Sequence, residues 1–240
     1  MKLVLPYGTV SVPSHVEAAL DSGQAAEISH PGAPVIEVDC SRCATLRLSD
    51  VSHPFTLPPE AQDLAHAESQ LTVLEHHLVK LCGVWAKPQA RFVANYFSAL
   101  RGYVGENQAA LEARAGQLAG LVEPLHWCFA APMPLPRAHI GLDEKGNLSN
   151  AGHIVRTRVD FAFWSDGGLS VMEIGTGNQT GGRRRALEAL ADAGVRVDRI
   201  DPALDGQALL ARLGPGFTAF TDGLDLPESP FHGRGLPVPA

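Results

Sequence analysis

Leucines at 71, 74, 78 and 81 recur at intervals of three and four, which puts one apolar stripe on a helix. The helical pattern opens at Pro58 and runs to about Val122, with Gly83 a natural stop for this first helix. A second helix is predicted from Pro88 through Phe92, Val93, Tyr96, Phe97 and Leu100. Proline suits its start, because the first turn has no intrahelical partner for the N–H that proline lacks. A third runs from Glu106 to Leu121 on Leu111, Leu118 and Leu121. All three stripes read as core packing.

After Pro124 the period changes. Leu125–Phe129 reads as a strand, closed by the proline-rich run 131–136, and residues 143–150 as a polar loop. Two more strands follow, Val155 to Trp164 and Leu169 to Ile174. Ser165-Asp166-Gly167-Gly168 joins them as a tight hairpin, since glycine admits the positive φ such turns need. Next come a Gly-rich loop, a helix from Gly182 to Ala193 with Gly194 as its C-cap, and a strand from Val195 to Ile200. Leu209–Leu213 and Phe217–Phe220 suggest a further helix and strand, and the tail beyond Gly223 carries four of the eighteen prolines. Residues 1–55 are rich in Pro, Gly and Ser, with β-prone runs at Leu3–Leu5, Thr9–Val12, Pro34–Val38 and Thr45–Leu48. The expected organisation is a β-rich N-terminal extension (1–55), a helical region (56–122), a core (123–223) and a Pro-rich tail (224–240).

Composition narrows the class. No apolar run approaches the eighteen or so residues of a membrane helix, and the N-terminus lacks the apolar stretch of a signal peptide, so a soluble cytoplasmic protein is expected. A net charge of −7 argues against a general nucleic-acid coat. It leaves room for a nuclease, which needs carboxylates at its centre and can confine positive charge to one stripe, here Arg156, Arg158, Arg183, Arg184 and Arg185. Cys40 and Cys43 have a zinc-type spacing with no second pair behind them, so plain thiols are the simpler reading. Trp85, Trp127 and Trp164 read as core rather than as base-stacking surfaces.

Chemistry concentrates between residues 157 and 201. Asp160 lies in Arg158-Val159-Asp160-Phe161 and Glu173 in Val171-Met172-Glu173-Ile174, each embedded in an apolar strand. A hairpin folds these strands directly back, so the acids can meet at one end of the sheet. Two acids in apolar strands are costly unless compensated, and either a divalent cation or neighbouring arginines would compensate them. Oxygen-only ligation suits Mg²⁺ or Mn²⁺, which could activate water and stabilise charge on a phosphodiester.

These segments, with Arg183 to Leu190 and Ala193-Gly194-Val195-Arg196-Val197 behind them, resemble the PD-(D/E)xK nuclease superfamily, nearest its small very-short-patch-repair-like branch. The resemblance covers Leu125 to Asp201. It implies an α+β fold with a restriction-endonuclease-like core, a mixed central sheet flanked by helices. It also implies metal on Asp160 and Glu173, a nucleic-acid substrate (DNA ahead of RNA), and compatibility with a homodimer. The family's usual lysine, two residues beyond the glutamate, is here Gly175. Its task would pass to Gln179, Arg183 or Arg184; Gln179 and Arg184 are the assignments for water positioning and phosphate contact, with Arg158, Arg183 and Arg185 as further nucleic-acid contacts. Glu106, Glu112 and Glu123 are candidates for a third carboxylate.

Rival readings use the same residues. Glu173-Ile174-Gly175-Thr176-Gly177-Asn178-Gln179 is similar to the first motif of class I methyltransferases, with Asp198 or Asp201 for a ribose. Against it, the third glycine is Gln179 and only residues 202–240 follow Asp201. The C-terminal metal site of ATP-grasp ligases offers another likeness, but Lys80 and Lys87 fall in or beside helices rather than on strands. With Gly175 in the lysine position, the core could also survive as a catalytically inactive nucleic-acid-binding or interaction module. The nuclease reading requires both acids on one face of the sheet. A parallel nucleotide-binding crossover opening at Glu173 would count against it.

Overall fold

A computed structural model describes residues 2–8, 25–30, 33–51, 66–115, 123–142, 148, 155–175 and 181–201. The expected strand at Thr9–Val12, the helix at 209–213, the strand at 217–220, the tail and Gln179 lie outside the described residues, as does the end of the third helix.

The N-terminal region supplies strands β1 (Lys2–Pro6), β2 (Ala25–His30) and β3 (Ala33–Asp39), an antiparallel sheet in the order β1-β3-β2. Leu3 lies opposite Val38 and Leu5 opposite Ile36, so all four share one buried face. The strand expected at Thr45–Leu48 is replaced by a single bridge from Arg47 to Pro132, after which Leu48–Val51 forms a one-turn helix, α1. Asp50 explains the switch: its carboxylate reaches back to accept the Arg47 N–H at 2.7 Å, satisfying a donor at the helix start.

Helix α2 (Ala67–Cys82) buries Ala67, Leu71, Leu74, Leu78 and Cys82, one stripe at helical spacing. Glu123 accepts the Ala67 N–H at 2.8 Å and so caps it from a distant segment. Gly83 ends it at φ 91 and ψ 156, a conformation open essentially to glycine alone. Helix α3 (Lys87–Glu106) follows, with Pro88 in its first turn, and buries Phe92, Val93, Tyr96, Phe97, Leu100 and Val104. Helix α4 spans Gln108–Ala115.

Leu125–Phe129, expected as a strand, lies in a 3₁₀ helix, Pro124–Ala130. Four consecutive residues, Trp127 to Ala130, are buried there, so no strand-like alternation exists. Bonds of i→i+3 type, from the His126 N–H to the Glu123 carbonyl and from the Ala131 N–H to the Cys128 carbonyl, close the turns.

The central sheet has the order β4 (Leu135–Pro136), β7 (Phe161–Ser165), β8 (Gly168–Ile174), β9 (Arg196–Ile200). Its first two pairings are antiparallel and β8–β9 is parallel, with helix α5 (Gly181–Asp192) as the crossover. The strand expected from Val155 to Trp164 is split at Val159 and Asp160. Its first part, β6 (Val155–Arg158), pairs instead with β5 (His139–Leu142) in a separate two-stranded ladder. The β7–β8 turn has Asp166 at φ 52 and Gly167 at φ 68, the two positive angles of a type I′ turn, with Ser165 paired to Gly168.

Side-chain alternation assigns the two faces. Phe161 packs on Phe92, ring centroids 4.5 Å apart, and Phe163 faces Tyr96 at 6.4 Å, so α3 covers one side. Residues one step out of phase, Glu173 among them, meet α5 on the other. The result is a mixed α+β architecture with the sheet between helices. Among the described residues no helix is long and apolar enough to cross a membrane.

Candidate functional site

The β7–β8 ladder pairs Phe161 with Met172, and one step further along the same register Asp160 stands opposite Glu173. Residues directly opposite in an antiparallel pair share a face, so the two acids come together as the hairpin requires. The Asp160 carboxylate accepts the Ile174 N–H at 2.9 Å, and the Glu173 carboxylate accepts the Asp160 N–H at 3.2 Å. Each acid thus holds the other's strand.

Like charges directly opposite repel, and Glu173 is only 5% exposed. Arg183, in the first turn of α5, offsets this. Its guanidinium forks onto Glu173, with Nε to Oε2 at 3.0 Å and Nη2 to Oε1 at 2.6 Å, while Nη1 donates to the Arg158 carbonyl. Burial pushes the Glu173 carboxyl up; the Arg183 hydrogen bond pulls it down, and the Asp160 charge pushes it up again, leaving it above the ordinary carboxylate value. Arg183 therefore compensates the buried acid in part.

Arg158 and Arg185 have exposed side chains, and Arg184 bonds Glu188 one turn along α5 at 2.8 Å. Gly175 has φ +115, and its N–H donates to the Ile200 carbonyl at 2.9 Å. No atom would block a Cβ there, so the backbone angle and not space selects glycine, and a lysine would be strained.

The three third-carboxylate candidates do not join the pair. Glu123 is held by His66 and the Ala67 N–H, and Glu112 by the Gln108 amide at 2.7 Å. Glu106 is exposed at the end of α3. Among the described residues no group of three or more His, Cys, Asp or Glu is placed to hold a metal ion. That covers Cys40 and Cys43 as well. Burial pushes the Cys43, Cys82 and Cys128 thiols up to about 12, so as plain thiols they stay protonated.

Trp85, expected in the core, departs from that reading, and Arg137, assigned no role from sequence, is bonded to the backbone of Asp160. Trp127 and Trp164 are buried as expected, but Trp85 is 92% exposed and Val84 is 87% exposed. They occupy the turn that Gly83 opens between α2 and α3, where helical periodicity has stopped and carries no information about burial. Arg137 has φ 50, and its N–H donates to the Asp160 carbonyl at 2.8 Å. Its guanidinium lies over Gly83, where a Cβ would stand 2.6 Å from Nη1. Trp85 has no sequence signal beyond its position just past a helix stop, and Arg137 has none.

The residues of the rival readings are disposed differently. Asp198 pairs with Arg196 on its own strand at 2.6 Å, and Lys80 and Lys87 are helical. A parallel crossover does open after Glu173, but β8 has an antiparallel hairpin partner on its other side, unlike a strand within an all-parallel nucleotide-binding sheet. No protein-family model, no curated protein and no solved structure matches the chain.

Proposed function

We propose that the chain is a nuclease with a restriction-endonuclease-like core, cleaving phosphodiester bonds, in DNA ahead of RNA, with Mg²⁺ or Mn²⁺ held by Asp160 and Glu173. The carrying observation is the meeting of these two carboxylates, one step beyond the last β7–β8 pair. The mixed sheet between helices supports the same frame.

The donor set fits the cation on two counts. Mg²⁺ commonly takes one or two protein carboxylates and fills its remaining positions with water and phosphate oxygens, so two acids suffice. The buried Glu173 already engages a cationic group, the Arg183 guanidinium, which stands in at that position. Bound there, the metal would supply a Lewis acid and a more acidic water. Within the chain, Arg183 must withdraw from Glu173, and its 27% side-chain exposure leaves it a path to solvent. Arg158, Arg184 and Arg185 are then the candidates to hold the phosphate backbone near the α5 N-terminus, and Gln179 is proposed to position water.

The test is incubation with plasmid, single-stranded DNA and RNA in Mn²⁺, Mg²⁺ or EDTA. Cleavage requiring metal, and abolished by Asp160→Ala and by Glu173→Ala, is expected. Intact polymer under every condition would defeat the enzymatic reading.

A second reading is favoured by the Arg183 fork and by Gly175: a closed core that binds nucleic acid without cutting it. It predicts metal-independent retention of nucleic acid that Asp160→Ala leaves unchanged. A thermal shift with the methyl donor or with ATP would favour the nucleotide-binding rivals instead.

A further inference from the structure

In a chain of net charge −7, residues 76–105 contain no Asp or Glu but do contain Lys80, Lys87, Arg91 and Arg101. Arg101 is taken by Glu68 and Glu75. Lys80, Lys87 and Arg91 are exposed and make no ion pair among the described residues. Between the two lysines stand Val84 and Trp85, the exposed large hydrophobic residues of the described structure.

The turn that carries them is fixed. The Gly83 N–H donates to the Lys80 carbonyl and the Ala86 N–H to the Gly83 carbonyl, both at 3.1 Å, so the indole is presented from a held backbone. Next to it, the half-buried Arg137 guanidinium lies against Gly83 and has no hydrogen-bond or ion-pair partner among the described residues. The Arg137 backbone is bonded to that of Asp160. Arg137 therefore ties the turn that carries Trp85, through Gly83, to the backbone of Asp160.

We propose that Trp85 and Arg137 form a docking subsite for an unpaired nucleotide of a single-stranded nucleic acid, adjoining the Asp160–Glu173 site. The indole offers a face for the base, while Arg137, Lys80 and Lys87 offer charge to the phosphates. Cations on both sides of the indole, with no acid between residues 76 and 105, select a polyanion over an apolar protein surface as occupant. Bases in a duplex are already stacked on one another, so a protruding indole gains only from one that is free. The inference deepens the nucleic-acid reading above by naming its substrate class.

Binding is measured in EDTA, so that it reports the subsite and not cleavage. Single-stranded oligo(dT) and oligo(U) of about twelve nucleotides, and a DNA duplex, are titrated by fluorescence anisotropy and by tryptophan emission. Single strands are expected to bind more tightly than duplex and to quench Trp85, the exposed indole. Trp85→Ala should weaken binding roughly tenfold, while Trp85→Phe loses the quench and keeps most of the affinity. Arg137→Gln should weaken binding and flatten its salt dependence. The dT and U arms decide between DNA and RNA. Absence of quenching, duplex bound as well as single strand, or unchanged affinity in Trp85→Ala would each overturn the subsite. So would a Trp85→Ala variant that sediments as a smaller species with nucleotide binding intact, which would mark the patch as a self-association surface. Trp85 is exposed, so its variants are expected to fold. If single strands bind through Trp85 but metal-dependent cutting is absent, the nuclease reading falls and the subsite stands.

Discussion

A buried carboxylate opposite a second one, held by a single guanidinium, makes its two partners unequal. Arg183 keeps part of its surface in water, whereas Glu173 is 5% exposed. Removing the arginine strands a buried charge; removing the charge leaves an arginine that solvent can hydrate. Arg183→Gln should therefore cost about 3 kcal/mol, and Glu173→Gln much less, when both are compared by urea denaturation at neutral pH. The sign of the pH dependence follows from the raised Glu173 carboxyl. Between its unfolded value of 4.5 and the higher folded one, the folded chain holds more protons than the unfolded chain, so this group's contribution to stability falls as pH rises through that window. Glu173→Gln lacks the titration, so its melting temperature should gain on the wild type as pH rises above the ordinary carboxylate value through the titration of the raised Glu173 carboxyl. Parallel curves would contradict this. Asp160, Glu173 and Arg183 were legible because ionisable residues interrupting apolar β runs, or opening a helix, demand compensation wherever they fall. The meeting of the two acids followed from the hairpin; that Arg183 is the residue holding Glu173 did not, because that contact links a strand end to a helix start across a segment whose path the sequence does not give. Gly175 is the converse case. The sequence presents it as a missing lysine, and its φ of +115 shows a backbone that excludes a side chain.

Among elements, those with a physical period and a chemical stop were read most accurately. Helices α2, α3 and α5 carry apolar stripes, Gly83 and Gly194 close the first and last of them with positive φ, and the Asp166-Gly167 turn is built as its composition requires. That turn has a clean test. Gly167 has no atom within 4 Å of a would-be Cβ, so Gly167→Ala introduces conformational strain alone and should cost about 1 kcal/mol. Asp166→Asn, a residue at least as tolerant of positive φ, should be neutral. The urea midpoints of the two variants decide it, and equal midpoints would refute the type I′ assignment as a determinant of stability. Misreadings arose where apolar content lacked a period. Leu125–Phe129 is largely apolar, all of 127–130 is buried, and Pro124 stands in the first turn of the 3₁₀ helix. Strand β2, Ala-Ala-Glu-Ile-Ser-His, has one β-branched residue and was missed; it forms because β3 offers it an edge. The split at Val159–Asp160 arises because the chain changes partners there, with the Val159 N–H going to the Ala138 carbonyl and the Asp160 carbonyl taking the Arg137 N–H.

Across the molecule, segments distant in sequence share one interior. Leu3, Leu5, Tyr7, Ile36 and Val38 belong to the same buried cluster as Leu71, Phe97, Met133, Phe161 and Val171. Backbone bonds bind the regions directly. The Gly8 N–H reaches the Pro136 carbonyl at 2.7 Å, the Leu46 N–H the Trp164 carbonyl at 2.9 Å, and the Met133 N–H the Leu46 carbonyl at 2.8 Å. The Trp164 indole N–H donates to the Cys43 carbonyl at 2.8 Å, and the Gly167 N–H to the Ala44 carbonyl at 2.8 Å. Residues 43–48 therefore seat the β7–β8 hairpin whose far end carries Asp160 and Glu173, and loss of that seat should be felt at the acids. Deleting residues 1–55 would leave the Trp164 N–H and several backbone groups without partners and open an apolar face, each unsatisfied buried group costing about 1–3 kcal/mol. Against the roughly 5–15 kcal/mol that holds a typical domain together, the described bonds alone are enough to abolish cooperative folding. The full chain should lose far-UV circular dichroism and buried-tryptophan fluorescence in one coincident urea transition, and the chain beginning at residue 56 should show no sharp transition and no near-UV signal. A fragment that melted cooperatively at the parent midpoint would mean that the N-terminal sheet decorates the core instead of completing it, and that the acidic pair owes nothing of its geometry to residues 1–55.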